Sequence, residues 1–347
     1  MVNEGVLDVV MLLEVALLVL AAGVYFSHGL WLFVTQKRTL REMNAARGSL
    51  ARLLTHGAVN VEEIEALRHT RRRVQVAAFL EISRTQTGTG KDRLRFVAGE
   101  VSLLDRARKL CESRLWTRRL RGMRLLAGMD VADPIVEKLF TDPHPAVRAQ
   151  AAEWAAAHPS PTVITAMLKM LADPATQARF AVQDALLRMG AIVAEPLAEF
   201  LETHSGSPAE SGLRVAGALA EARFLPAALR LSTAGESGVR VAAANLLGAI
   251  GSADSAERLT ELLKDSDSHV RAAAANGLGR MQHWPAASQL AESLRDRTWH
   301  VRRDAALALR AIGAPGVLFL RRALKGDDPF AADMAQQTLD LPATATG

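Results

Sequence analysis

Tyrosine occurs once, at Tyr25, cysteine once, at Cys111, and aromatic residues make up only 5% of the chain. One thiol excludes a disulfide framework and a thiolate metal cluster, and it fits a reducing compartment. The shortage of aromatic side chains argues against a sheet-rich fold. Lys and Arg are absent from the first 34 residues, so a cleaved signal peptide, which needs a basic start, is disfavoured. No phosphate-binding loop, zinc-protease helix, nucleophile elbow or calcium loop occurs. No catalytic residue, metal, cofactor or small-molecule substrate is therefore expected.

What is present is Ala, Leu and Arg, in a chain that is 49% hydrophobic. That balance suits helices packed closely through small side chains. The 13 prolines and 24 glycines punctuate apolar runs as turns. The net charge of +5 is unevenly spread. Residues 1–34 carry −3, residues 35–130 carry +11 from 21 basic and 10 acidic side chains, and residues 131–347 carry −3. Four segments are expected: an anchor at 1–34, basic helices and a linker at 35–113, a repeat array at 114–341 and a disordered tail at 342–347.

Residues 15–34, VALLVLAAGVYFSHGLWLFV, contain no formal charge. As a helix rising ~1.5 Å per residue they span roughly 30 Å, the hydrocarbon thickness of a bilayer. Tyr25 and Trp31 are amphipathic rings suited to the headgroup level, and His28 is expected at headgroups or against a neighbouring helix. Glu14 has two readings: a residue at the outer interface, or a membrane carboxylate paired with another protein. Cations follow the span and none precedes it, which puts the N-terminus outside and the remainder in the cytoplasm.

Residues 36–56 show a helical pattern, with Leu40, Met43, Leu50, Leu53 and Leu54 on one side. The near-heptad spacing is too short to establish a coiled coil. A second helix is expected from Asn60, with Glu63 completing a capping box and Ile64, Leu67, Val74 and Ala78 along one face. The polar segment 83–92 is expected to be a flexible connection. Lys37, Arg38, Arg41, Arg71, Arg72 and Arg73 form a basic cluster beside the span, expected to contact anionic lipid headgroups. An acidic protein partner is the alternative. Nucleic acid is disfavoured because interleaved aromatics for base stacking are lacking.

Past residue 115 the sequence resembles itself. Val147-Arg148, Val239-Arg240, Val270-Arg271 and Val301-Arg302 recur, with variants Thr117-Arg118, Ala178-Arg179 and Leu213-Arg214. Their arginines are 30, 31, 35, 26, 31 and 31 residues apart, as if one loop grew while its neighbour shrank. An aspartate precedes the arginine by six at Asp142, Asp173, Asp265 and Asp296, and recurs at Asp327. Small residues follow at plus three and four, such as Ala274 and Ala275. Leucine follows at plus seven, and Gly190, Gly251 and Gly313 at plus eleven. The small residues let helices approach closely, and the glycines are expected to end helices in left-handed caps. Two antiparallel helices fill the period, and since no pair buries its own apolar face, pairs must stack.

These motifs resemble HEAT repeats, most closely the short bacterial kind related to phycobilin-lyase repeats, over roughly 115–340. The resemblance implies an all-α solenoid, a superhelix of about seven to eight antiparallel helix pairs, which here follows the transmembrane helix expected from residues 15–34. It also implies a structural ladder of loop aspartate and helix arginine, carried over to Asp142/Arg148, Asp173/Arg179, Asp265/Arg271 and Asp296/Arg302. Arg240 and Arg214 occupy the arginine column. The Arg214 unit lacks the aspartate, and residues 205–211 are expected to bend or loosen the array. Localisation at a bacterial inner membrane follows from the resemblance and the span.

His269 and His300 occupy equivalent places on successive units. Stacked helices lie roughly 8–10 Å apart, too far for both to reach one metal, so they are expected to be helix-start residues. The run of Arg118, Arg119, Arg121 and Arg124 is expected to be a solvated or lipid-facing surface. Trp284 and Trp299 are hot-spot candidates whose bland role is to fill gaps, as at Trp154. Glu195, Glu199, Glu257, Glu261 and Glu292 recur on second helices and suggest an acidic-lined partner groove. The first functional reading is a membrane-tethered, non-enzymatic scaffold that recruits or regulates a membrane-associated protein, such as a membrane enzyme or secretion complex. A chromophore lyase or other enzyme and a nucleic-acid binder are the alternatives.

Overall fold

The computed structural model describes residues 4–55 and 60–342, and the chain divides into two units, 1–133 and 134–347. The all-α expectation holds: every regular element among the described residues is a helix.

The first unit opens on one unbroken helix, α1 (Glu4–Thr55). No proline interrupts it, so the chemical boundary near residue 34 falls inside a helix. Leu17 through Val34 are open, and none of the apolar stretch is buried. Farther on, Ala46, Ser49, Leu50 and Leu53 are buried, as α1 packs against α2 (Val61–His69), α3 (Arg72–Ser83) and α4 (Thr89–Glu100). Leu40, expected on the buried side, is exposed. The side chain of Glu14 and most of the 342–347 tail lie outside the described residues.

The single helix expected from Asn60 is two. The backbone turns extended at Thr70 and α3 restarts at Arg72. The break is stabilised by side chains: the buried Gln75 donates through Nε2 to the Leu67 carbonyl at 3.2 Å, and Thr70 Oγ1 donates to Ala66. Asn60 does cap α2, accepting from the Glu62 N–H at 2.9 Å, but Glu63 pairs with Arg52 rather than closing a capping box. Much of the expected flexible connection is also helical, because α4 starts at Thr89 just after Gly88, whose φ of +50° suits glycine. Two further helices, α5 (Leu103–Cys111) and α6 (Trp116–Gly128), complete the unit's core.

In the second unit, first and second helices alternate. The first helices are α8 (Pro145–Ala155), α10 (Thr176–Met189), α12 (Gly206–Leu219), α14 (Ser237–Ile250), α16 (Ser268–Arg280), α18 (Trp299–Ile312) and α20 (Pro329–Asp340). Each packs on the next. The second helices are α7 (Ile135–Leu139), α9 (Pro161–Lys169), α11 (Ala194–Thr203), α13 (Leu225–Leu231), α15 (Ala253–Leu262), α17 (Ala287–Ser293) and α19 (Ala314–Ala323). Gly251 is a left-handed cap at φ +71°, ψ +25°. Gly190 and Gly313 instead combine positive φ with ψ −143°, a region that only glycine tolerates.

The helix starts correct the repeat register at two places. The fourth residue of the first helix is Arg148, Arg179, Arg240, Arg271 or Arg302 in five units, but Arg119 in α6 and Ala209 in α12. Arg118 and Arg214 therefore do not occupy the arginine column. With Ala209 in place, successive positions from Arg119 to Arg302 lie 29–31 residues apart. The steps of 35 and 26 residues disappear in this register, although the connection before α12 is only two residues long.

Candidate functional site

Arg148, Arg240 and Arg271 each bind their own loop through backbone and the next loop through a carboxylate. Arg148 Nη1 donates to the Asp142 carbonyl at 2.7 Å, while its Nη2 donates to Asp173 Oδ1 at 2.7 Å. Arg240 reaches Asp265 at 2.8 and 2.9 Å, and Arg271 reaches Asp296 at 2.7 and 3.0 Å. The rungs are thus Arg148–Asp173, Arg240–Asp265 and Arg271–Asp296. The pairs named within one unit instead meet through the aspartate's backbone carbonyl, as Arg179 meets Asp173 and Arg302 meets Asp296. Each aspartate also caps its loop, accepting from the N–H two residues on at 2.8 Å in Asp142, Asp173, Asp265 and Asp296.

Two regions lack the rung. Arg179 would face position 204, which is His204, stacked on Phe200 at 3.8 Å between ring centroids. Ala209 replaces the next arginine, and Arg214 makes only a local pair with Glu210 at 2.5 Å. At the C-terminal end Arg302 lies over the Phe330 ring at 5.1 Å, and its buried Nε has no hydrogen-bond partner. Asp327 is exposed and makes no ion pair among the described residues.

Burial alone would raise the carboxyls of Asp173, Asp265 and Asp296. The guanidinium and the backbone N–H outweigh it, and all three lie below the ordinary carboxylate range. A lowered folded-state pKa contributes stability above the unfolded value of about 4, lost as pH falls through the lowered value. The midpoint of thermal unfolding followed by circular dichroism should therefore fall as pH drops below about 4. The fall should be shallower in Arg271→Met/Asp296→Leu, and identical slopes would count against the rung as its cause.

The six residues of the basic cluster separate. Lys37, Arg38 and Arg41 are exposed on α1, with Lys37 over the Phe33 ring at 5.6 Å and Arg38 3.4 Å from Glu42. Arg71 is fixed to α1, pairing with Glu42 and donating to Thr39 Oγ1 at 3.0 Å. That pair holds the Glu42 carboxyl below its ordinary range. Arg72 and Arg73 are exposed and form no ion pair among the described residues. They line a cleft with α5 and α6 residues that include Arg106 and Lys109, which sequence reasoning missed. The signal available was the i, i+3, i+4 spacing of Ser102, Asp105, Arg106 and Lys109 on one helix face.

Trp284 and Trp299 are 66% and 53% exposed, so neither fills an internal gap, whereas Trp154 is buried. Trp284 precedes α17 and Trp299 follows it, so they stand at opposite ends of that helix. Glu195, Glu199, Glu257, Glu261 and Glu292 are all exposed. Glu195 pairs with Arg223 and Glu261 with Arg258, while α19 adds Arg321 and Arg322. The second-helix surface is therefore mixed in sign.

His269 and His300 are closer than helix spacing suggested, with ring centroids 4.8 Å apart and planes 17° from parallel. Both side chains lean into the gap between helix starts. Stacked rings direct their nitrogens within parallel planes, which do not converge on one ion. Among the described residues no group of three or more His, Cys, Asp or Glu is arranged to hold a metal. Burial pushes the Cys111 thiol up to about 12, which leaves no reactive thiolate at neutral pH.

Helix pairs stacked through repeating arginine rungs define an α-solenoid. Models of HEAT repeats match residues 132–220, 195–273, 225–310 and 259–340, more than half of the chain, and the chain belongs to the HEAT-repeat family. Comparison of the sequence with curated proteins found no match. Among solved structures it resembles Kap95p, whose binding induces the switch loops of RanGDP to adopt the GTP-bound conformation. That match has a TM-score of 0.54 and 14% identity, and it covers 87% of this chain and 51% of Kap95p. Yeast importin-β (Kap95p) matches with a TM-score of 0.50 and 12% identity over 86% of this chain and 51% of its own. The chain thus spans about half the length of importin-β, and likeness at these identities shows the fold alone. HEAT-repeat solenoids are typical protein-interaction scaffolds.

Proposed function

We propose that the chain is a membrane-tethered HEAT-repeat scaffold, with its repeats in the cytoplasm, that recruits or regulates a protein at the surface of a bacterial inner membrane. The observation that carries this reading is the change of surroundings along α1. Its apolar part is open from Leu17 to Val34, whereas its later turns are built into a helical core. An open apolar helix of that length is stable where lipid covers it. The absence of cations before the span and their abundance after it supports the orientation. A shared architecture with Kap95p, which binds the protein RanGDP, supports a protein ligand, and tethering raises the effective concentration of that ligand at the membrane.

Alkaline carbonate extraction tests the anchor. The full chain should remain in the membrane pellet, and a chain starting at residue 35 should be released by high salt, since only exposed cations would then hold it. Release of the full chain by carbonate would overturn the reading.

A further inference from the structure

Several arginines of the first unit have carboxylate partners: Arg47 with Glu81, Arg52 with Glu63, Arg68 with Glu65, Arg71 with Glu42 and Arg108 with Asp133. One group does not. The start of α3, the outer face of α5 and the first turns of α6 enclose a cleft of about 820 Å³ lined by Arg72, Arg73, Arg106, Lys109, Arg118 and Arg121. Asp105 is the only carboxylate in its lining, and it is already bound to Arg108 at 2.8 Å. None of the six cations forms an ion pair among the described residues. Arg118 reaches the cleft because Arg119 occupies the ladder position, donating at 3.0 Å to the carbonyls of Ser113 and Arg114.

The cleft is organised from behind. Arg106 is half-buried and donates through Nη1 at 2.8 Å to Oε1 of Gln75, whose own Nε2 is tied to Leu67. Burial and the neighbouring Arg72 both lower the Arg106 pKa, a sign of like charges held together without a counter-charge. Such crowding costs free energy in the empty cleft, and a bound anion relieves it. One phosphate would leave most of the excess charge uncompensated. Guanidinium groups bind phosphate oxygens in bidentate fashion, and the volume admits more than one phosphate.

Position selects the source. Arg71, adjacent to Arg72, is fixed to Thr39 and Glu42. At ~1.5 Å per residue these lie roughly 8–12 Å beyond Val34 along α1. Each headgroup layer extends roughly 5–8 Å beyond the hydrocarbon, so the cleft borders that layer. The lining contains no aromatic ring on which a base would stack.

We infer that this cleft is a binding site for a membrane phospholipid whose headgroup carries two or more phosphates. The inference rests on α1 spanning the bilayer. The full chain is placed in phosphatidylcholine nanodiscs carrying either cardiolipin or phosphatidylglycerol at matched total negative charge. Lipid occupancy is then read by titration with native mass spectrometry. Cardiolipin should bind about tenfold more tightly than its charge-matched control. Arg106→Gln/Arg121→Gln should abolish that preference, and so should Lys109→Gln/Arg118→Gln, which alters only exposed side chains. Arg41→Gln/Arg84→Gln removes the same charge outside the cleft and should keep it.

Equal binding of the two lipids, or a preference that survives both cleft variants, overturns the site. Displacement of bound lipid by micromolar inorganic tripolyphosphate, without any lipid preference, identifies a soluble polyphosphate as the ligand and overturns the lipid assignment. Failure of the full chain to enter neutral nanodiscs overturns the anchor and the lipid site together. Entry without a headgroup preference overturns the site alone.

Discussion

Arg271→Ala is expected to cost the repeat array about 3 kcal/mol, because it strips the partner from a largely buried carboxylate. The two side chains are only 9% and 13% exposed. Without the guanidinium, Asp296 retains the Thr298 N–H as a partner, and the carbonyls of Asp265 and Ser266 lose their donor. Three connections between two loops and a helix disappear with one side chain. Arg271→Met/Asp296→Leu should recover much of the loss, since replacing a buried pair with apolar groups of similar volume is often close to neutral. Arg302→Ala should cost less, because its Nε is unpartnered and its guanidinium lies on Phe330. Repeat arrays unfold in parts, so hydrogen exchange is the suitable measurement. Faster exchange should spread from α16 through α18 to α20 in Arg271→Ala. Equal losses for Arg271→Ala and Arg302→Ala would show that the carboxylate rung is not what stabilises the stack.

The repeat was legible because its cause is periodic. Alanines, a helix-start arginine and a loop aspartate return whenever one helix pair must cover the next. Register was less legible. In α6 the doublet Leu125–Leu126 supplies a leucine seven residues after either Arg118 or Arg119, so the leucine column cannot choose between them. In α12 the buried Ala209 stands where the column expects arginine, and Leu213-Arg214 offers a counterfeit match. The rung partners are not legible in the sequence, because the resemblance places aspartate and arginine in one unit while the bond crosses to the next. Stacking brings the next unit's loop closer to the guanidinium tip. The split between α2 and α3 left no local mark, since neither glycine nor proline punctuates it and Gln75 stabilises it from outside the break. The basic cleft is visible in the sequence as an excess of charge in 35–130 and as helical spacing around Arg106, but three helices are needed to show which cations remain unpaired.

Gly248→Ala should destabilise the array by about 2 kcal/mol through overpacking, whereas Gly217→Ala, in the same column one unit earlier, should stabilise it by up to about 1 kcal/mol through helix propensity. Gly217, Gly248 and Gly279 each stand twelfth in their helices, α12, α14 and α16. A Cβ on Gly248 would lie 2.6 Å from the Gly277 Cα, and one on Gly279 would lie 2.7 Å from the Ala308 Cα. Backbone faces backbone at both crossings, so no side chain can rotate aside and the helices must separate. Separation also opens the contact of Gly277 with Leu259, where a Cβ would already meet Cδ1 at 2.9 Å. Gly217 instead borders an open cleft, and a Cβ there meets nothing within 4 Å. One substitution in one column thus carries opposite signs, decided by whether the next helix's backbone lies against it. Equilibrium urea unfolding of the two variants measures both. If Gly248→Ala proved as benign as Gly217→Ala, α14 and α16 would not be in the close contact on which this packing depends.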